Sequence, residues 1–279
     1  MKKLSMYVCV ALMAATTILS SCKKDPEPVV EEETPPVIVK PAEKVCYINT
    51  LKANGKLSQK YEYNAAGKLS LINTYGDNGT TIEGYTRYNY DANNRVISIE
   101  TYEGEDKTEY YTFEYNTNNL ISKIHYFNKN QVGTLAEFYE IRNTYNAAKE
   151  NTIADLYTIE DGKPAPYGYI EYTYTNGNLV REVEYAETSG NAMVTRSVDY
   201  TYDTKKNPYA AVSVLPAYIN GPLVSKNNPT KIVDKDRNGA EESTQTLTYE
   251  YTTTNYPSVI NSTSTVDPSK TLMVDYTCK

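Results

Sequence analysis

The chain has 279 residues, a formal charge of −7, 29 Tyr, three Phe and no Trp. That length suits one large domain or two small ones. An acidic chain without a basic run excludes nucleic acid as a partner and electrostatic docking onto anionic lipid. Nearly all aromatic surface comes from Tyr, whose apolar body and polar tip suit half-buried sheet faces, so a thin aliphatic core under a Tyr- and Thr-covered sheet is expected.

The amino terminus opens with Lys2 and Lys3, followed by an apolar run from Tyr7 to Leu19. The run has signal-peptide length and is too short for a membrane span with these flanks. It ends in Leu19-Ser20-Ser21-Cys22. This order of charge, apolar run, small residues and Cys resembles the lipobox of bacterial lipoproteins. The resemblance implies a signal peptide over 1–21, cleavage before Cys22 and acyl chains on Cys22, and several acyl chains give lasting anchorage. Loss of the two leader lysines would leave 26 basic against 35 acidic residues. Residues 22–43 then form the lipidated Cys and a linker with Pro26, Pro28, Pro35, Pro36 and Pro41 among Asp25, Glu27 and Glu31 to Glu33. Such composition is extended and buries no core. Its acidic residues resemble the surface-export signal of Bacteroidetes lipoproteins, which favours the cell surface.

Cys46 and Cys278 lie at opposite ends of the remaining chain, 44–279. An even pair in an exported chain is a disulfide candidate, with two buried free thiols as the alternative. The bridge requires the first and last strands to be neighbours.

Between the cysteines a unit recurs. Its type is Tyr88-Asn-Tyr90-Asp-Ala-Asn-Asn94-Arg-Val96-Ile97-Ser-Ile99-Glu-Thr-Tyr102: two tyrosines two apart, a polar turn, then a β-branched run. Related units begin at Tyr61, Phe113, Asn143, Tyr172, Tyr200 and Tyr249. The first six aromatic pairs start 25 to 30 residues apart, a supersecondary period. Aromatics two apart share one strand face. The Asn or Asp after each pair supplies side-chain turn bonds, and Gly67, Asn94 and Asn119 tolerate positive φ. Gly76 to Gly79, Glu103 to Asp106, Asp161-Gly162 and Ser189 to Asn191 mark turns between units. Each period gives two antiparallel strands, so the expected fold is all-β: an antiparallel, strongly curved or barrel-like sheet of roughly fourteen strands or slightly more, made of serial hairpins.

The aliphatic positions Leu69, Ile72 and Tyr75, like Val96, Ile99 and Tyr102, are three apart, which is not a strand period. A β-bulge or a strand buried on both faces would explain the spacing.

Tyr90-Asp-Ala-Asn-Asn-Arg-Val-Ile97 resembles the YD repeat of Rhs-type shell proteins, with Asn94 in place of its Gly. The wider set of lipobox, serial Tyr-x-Tyr-Asn/Asp hairpins, Lys206-Asn-Pro208-Tyr209 and Ser225-Lys-Asn-Asn-Pro-Thr-Lys231 resembles a family of gut Bacteroidetes outer-membrane lipoproteins described as a domain of unknown function with a porin-like fold. The resemblance covers about residues 44 to 279 and implies a many-stranded, curved antiparallel sheet and no activity. The strand from Thr108 to Tyr115 sets Glu114 on one face and Tyr111, Phe113 and Tyr115 on the other, without the lipid-facing aliphatic band of a membrane porin.

The repeat fails from Lys205 to Asn228, where Pro208, Pro216 and Pro222 flank Ala210 to Leu215. This excursion reads as a segment with a short helix, packed on or into the sheet. Tyr209 and Tyr218 within it are the candidate ligand contacts. Long excursions are often functional, and a lid over apolar residues is the plainer alternative.

Little else suggests chemistry. His125 is the only histidine, and no Gly-x-Ser-x-Gly elbow is present. Asp234, Asp236 and Asn238, with Gly239, begin a calcium loop with oxygens at alternate positions. Gln245 stands where a bidentate Glu is needed, so an Asn-Gly hairpin tip competes with the metal reading. No cofactor is expected. Exposed tyrosines stack on sugars, whereas cross-strand pairing in every unit would make them scaffold. The expectation is a non-catalytic surface lipoprotein, held to the outer membrane by its lipid, that binds a glycan or other extracellular ligand. The alternative is a structural or protein–protein interaction lipoprotein of the cell envelope.

Overall fold

A computed structural model describes residues 45–130, 132–188, 190–210 and 215–278. The signal peptide, the lipidated Cys22 and the linker fall outside the described residues. The first eight strands are β1 Cys46–Ala53, β2 Lys56–Tyr63, β3 Leu69–Tyr75, β4 Ile82–Tyr90, β5 Val96–Glu103, β6 Asp106–Tyr115, β7 Ile121–Lys129 and β8 Leu135–Tyr145. The other eight are β9 Asn151–Glu160, β10 Lys163–Thr175, β11 Asn178–Thr188, β12 Asn191–Tyr202, β13 Pro229–Asp236, β14 Glu241–Tyr251, β15 Pro257–Ser264 and β16 Lys270–Cys278. Each strand pairs antiparallel with its neighbours in sequence, and β1 pairs with β16, closing a barrel of sixteen strands. The Cys46–Cys278 disulfide spans that seam.

The seven sequence units are the hairpins β2–β3 through β14–β15. β1 and β16, which lack the Tyr-x-Tyr signature, are the two strands that close the circle. In every unit the ladder shifts at the second tyrosine: Tyr63 faces Leu69, Tyr90 faces Val96, Tyr115 faces Ile121, Tyr145 faces Asn151, Tyr174 faces Leu179, Tyr202 faces Pro229 and Tyr251 faces Pro257. The skipped residue is a β-bulge. In β5 it is Ile97, 44% exposed, which leaves Val96 and Ile99 on the same inner face. The spacing of three is therefore a bulge, and the strand is not buried on both sides.

The second tyrosine also binds units together. In the second, third and fourth units its hydroxyl donates to the first carbonyl of the preceding unit's return strand: Tyr90 to Leu69 O (2.7 Å), Tyr115 to Val96 O (2.7 Å) and Tyr145 to Ile121 O (2.9 Å). Tyr202 to Leu179 O and Tyr276 to Pro257 O repeat the pattern. Phe would fill the same space and leave these carbonyls short of a donor, which accounts for Tyr in place of Phe at these positions. Turns follow the same economy of means. The Oδ1 of Asn64, Asp91 and Asn116 accepts two backbone N–H groups each, and Gly67, Asn94 and Asn119 take φ of 72°, 58° and 58°.

Inner and outer faces differ sharply. Inward positions carry the core: Ile48, Val96, Ile99, Ile124, Ile141, Ala154 and Leu179 are almost fully buried. Outward positions carry charge. Lys107 pairs with Glu100 at 2.6 Å, Arg142 with Glu140 at 2.6 Å, and Lys235 and Arg181 both with Asp199. His125 sits outward between Glu114 and Glu137, whose hydrogen bonds outweigh its desolvation and raise its pKa. Charge of this kind on a lipid face is strongly unfavourable at mid-membrane.

Sixteen strands enclose more space than their inward side chains fill. The excursion occupies part of it. It contains one short helix, α1 Ala217–Asn220, and a 3₁₀ turn, Gly221–Val224. Leu215 and Ala217 join the inward cluster of β5 to β12, and Tyr209 packs against Ile48, Leu51, Tyr61, Leu69 and Val274 on the opposite wall. A buried polar latch holds it. Asn207 donates to the carbonyls of Leu223 and Ser225, Ser225 Oγ donates to Tyr202 Oη and accepts from the Leu179 N–H, and Asn228 donates to Asp203 and to Lys206 O. The excursion is a plug across the lumen.

Candidate functional site

The plug leaves space on two sides. A cavity of 270 Å³ lies between it and the β2–β5 wall, lined by Gln59, Tyr61, Tyr88, Tyr90, Tyr209 and Leu223 among others. Tyr209 lies hydroxyl to hydroxyl with Tyr61, and Tyr61 donates to Gln59 Oε1 at 2.7 Å. Burial raises the pKa of both. A second cavity of 430 Å³ opens among the turns at the plugged end, where Arg95, Lys149 and Glu150 meet Tyr115, Tyr145, Tyr174 and Leu215.

The other candidate tyrosine sits in the most distinctive setting. Three inward tyrosines lie in register on adjacent strands, Tyr111 of β6, Tyr126 of β7 and Tyr139 of β8. Their rings form a row with centroids 4.8 and 6.3 Å apart. Tyr218, carried by α1 of the plug, faces this row: its hydroxyl is near those of Tyr139 and Tyr126 and the carboxylate of Glu184, and burial pushes its pKa to about 12. The Tyr126 hydroxyl donates to Glu109 (3.2 Å) and accepts from Asn128 (2.6 Å), which fixes the middle ring from its edge. The hydroxyls of Tyr111, Tyr139 and Tyr218 have no hydrogen-bond partner among the described residues.

Beside Tyr218 the wall is charged. The bulge at Val180 turns Glu182 and Glu184 of β11 inward, opposite Val198 and Arg196 of β12. Tyr200 donates to Glu182 at 2.6 Å, and burial holds the Glu182 carboxyl above the ordinary carboxylate range. Arg196 forks onto Asp234 through Nε and Nη2 at 2.7 and 2.6 Å.

In the metal reading of Asp234, Asp236 and Asn238, the structure gives the carboxylates protein partners. Asp234 points into the lumen and is committed to Arg196. Asp236 Oδ1 accepts the N–H groups of Asn238 and Ala240 at the β13–β14 tip, which lower its pKa. Among the described residues no group of three or more His, Cys, Asp or Glu is placed to hold a metal ion.

No protein-family model and no curated protein matches the chain. Among solved structures it is similar to a porin-like protein from Bacteroides uniformis ATCC 8492 at 16% identity and a TM-score of 0.49, covering 86% of this chain and 98% of that one. It is similar to a porin-like protein from Bacteroides vulgatus ATCC 8482 at 14% identity and a TM-score of 0.49, covering 83% and 98%. A Photorhabdus luminescens Tc holotoxin pore matches 74% of this chain with 11% of its own length, at 14% identity and a TM-score of 0.34.

Proposed function

We propose that this protein is a non-catalytic, lipid-tethered binding protein of the cell envelope, and that it takes a glycan into the barrel against the Tyr111–Tyr126–Tyr139 row. The observation that carries the reading is the inward row itself. Sugar rings stack on aromatic faces, while free phenolic hydroxyls and edge groups such as Asn128 and Glu109 suit ring hydroxyls. The wet, charged outer wall suits a barrel held by acyl chains on Cys22 better than one embedded in lipid. A glycan-array screen of the full chain in detergent tests the ligand class, with Tyr126→Ala abolishing the signal. Detergent phase partition tests the anchor: the wild type enters the detergent phase and Cys22→Ser stays in the aqueous phase.

A second reading, a protein–protein interaction role, draws on outward aromatic pairs. Tyr85 stacks on Tyr102, Tyr110 on Phe127 and Tyr169 on Tyr185, with centroids 4.2–4.5 Å apart. An empty glycan array together with a protein crosslinked to these positions on cells would replace the first reading by this one.

A further inference from the structure

The polar groups around Tyr218 are specific about charge. Glu184 is half-buried, points into the lumen, and its carboxylate has no hydrogen-bond or ion-pair partner among the described residues. Tyr172 of β10 is 5% exposed and inward, and its hydroxyl is buried without a partner, close to Tyr218, Glu182 and Glu184. A buried hydroxyl left unpaired is costly, and it marks a place where a polar group is missing. The inward cation nearest them, Arg196, lies across the ladder from Glu184 and gives its Nε and Nη2 to Asp234. Inward acidic side chains at Glu109, Glu182, Glu184 and Asp234 thus stand against the one Arg196 guanidinium in this part of the lumen, among the described residues. Around them stand the ring faces of Tyr111, Tyr126, Tyr139 and Tyr218, which attract cations through their quadrupoles.

We propose that a ligand entering this part of the lumen carries a protonated amine, held between the Glu184 carboxylate and the ring of Tyr218, with the Tyr172 hydroxyl as a further contact. This rests on the binding reading above and names the ligand's chemical class: an amine-bearing glycan, such as one built from unacetylated hexosamine. Acetylation of that amine removes the charge and adds bulk beside the Glu184 carboxylate.

Calorimetric titration of the full chain in detergent tests it with three probes: a β-1,4-linked glucosamine oligomer, its N-acetylated counterpart of equal length, and spermidine. The glucosamine oligomer should bind about ten- to a hundredfold more tightly than the acetylated one, the span expected of a charge-assisted contact. Glu184→Gln, an isosteric change, should erase that preference. Tyr218→Phe should keep it and Tyr218→Leu should lose it, because the proposed contact is with the ring. Equal binding of both oligomers, or a preference that survives Glu184→Gln, overturns the amine inference and leaves glycan binding standing. Spermidine binding that depends on Glu184, with no oligomer bound, supports the cation site and overturns the glycan reading. No heat with any probe, alongside neutral glycans captured on the array, overturns the amine inference alone; no heat and an empty array overturn both.

Discussion

Replacing Tyr115 by Phe isolates the bond that links one unit to the next. The Tyr115 hydroxyl donates to the Val96 carbonyl at 2.7 Å, and Val96 is 1% exposed. The ring stays, so its packing on the inner cluster and the Arg95 guanidinium 4.8 Å from its centroid are unchanged. What is lost is one donor to a buried acceptor, which costs about 1–3 kcal/mol. Removing a half-buried hydroxyl returns some of this, so a net loss of about 1–2 kcal/mol is expected. The matched control is Tyr185→Phe on the outer wall. That hydroxyl reaches the exposed Glu171 at 3.2 Å, and a surface change of this kind falls within about 0.5 kcal/mol. Urea unfolding followed by circular dichroism reads both, with a shift in midpoint at constant slope. If Tyr115→Phe is as neutral as Tyr185→Phe, the hydroxyl bonds do not couple the units and the account of Tyr in place of Phe at these positions fails.

Three further outcomes are expected. Lys149 holds φ of 65° at a turn position where other units use Gly or Asn, so Lys149→Gly should stabilise by about 0.5–1 kcal/mol in the same unfolding assay. Burial raises the Glu182 pKa, so folding favours the protonated carboxyl. Its contribution is complete below about pH 4 and is lost as pH rises through the raised value, so Glu182→Gln should be more stable than the wild type at about pH 8, with the difference vanishing near pH 4; a constant difference would refute this. Cys46→Ser opens a bridge between residues 232 apart and should lower stability by about 3–5 kcal/mol, read as a fall in thermal midpoint that reducing agent reproduces in the wild type and not in the variant.

Much of the fold was legible because the repeat carries its own turn chemistry. The Tyr-x-Tyr signature and its degenerate forms, with the turn residues after them, located all seven hairpins, and the strand count fell two short because β1 and β16 close the barrel without that signature. Tyr209 and Tyr218 were singled out because the repeat breaks around them, and both line the interior. The charged part of the chamber was not legible. Glu182 and Glu184 lie in Arg-Glu-Val-Glu-Tyr, which reads as a solvated strand face with either parity. Only the bulge at Val180 fixes which face is inward, since a shift of one residue exchanges the two sides of a strand. The same holds for Asp234, whose partner Arg196 lies on another strand and is 38 residues away. Alternating oxygens at a turn resembled a cation loop because sequence does not show an arginine arriving from across the ladder.

The seam between β1 and β16 gives the barrel a circular logic. Every other ladder joins strands adjacent in sequence, so fifteen ladders can zip locally as the chain emerges, and a single long-range closure remains. That last step waits for Cys278, the last residue of β16. The two ends of the barrel sequence then lie side by side, where a short linker could join them. A circular permutant cut at one of the exposed Asx turns, such as Asn116 to Asn119, keeps all sixteen ladders and merely changes which one closes last.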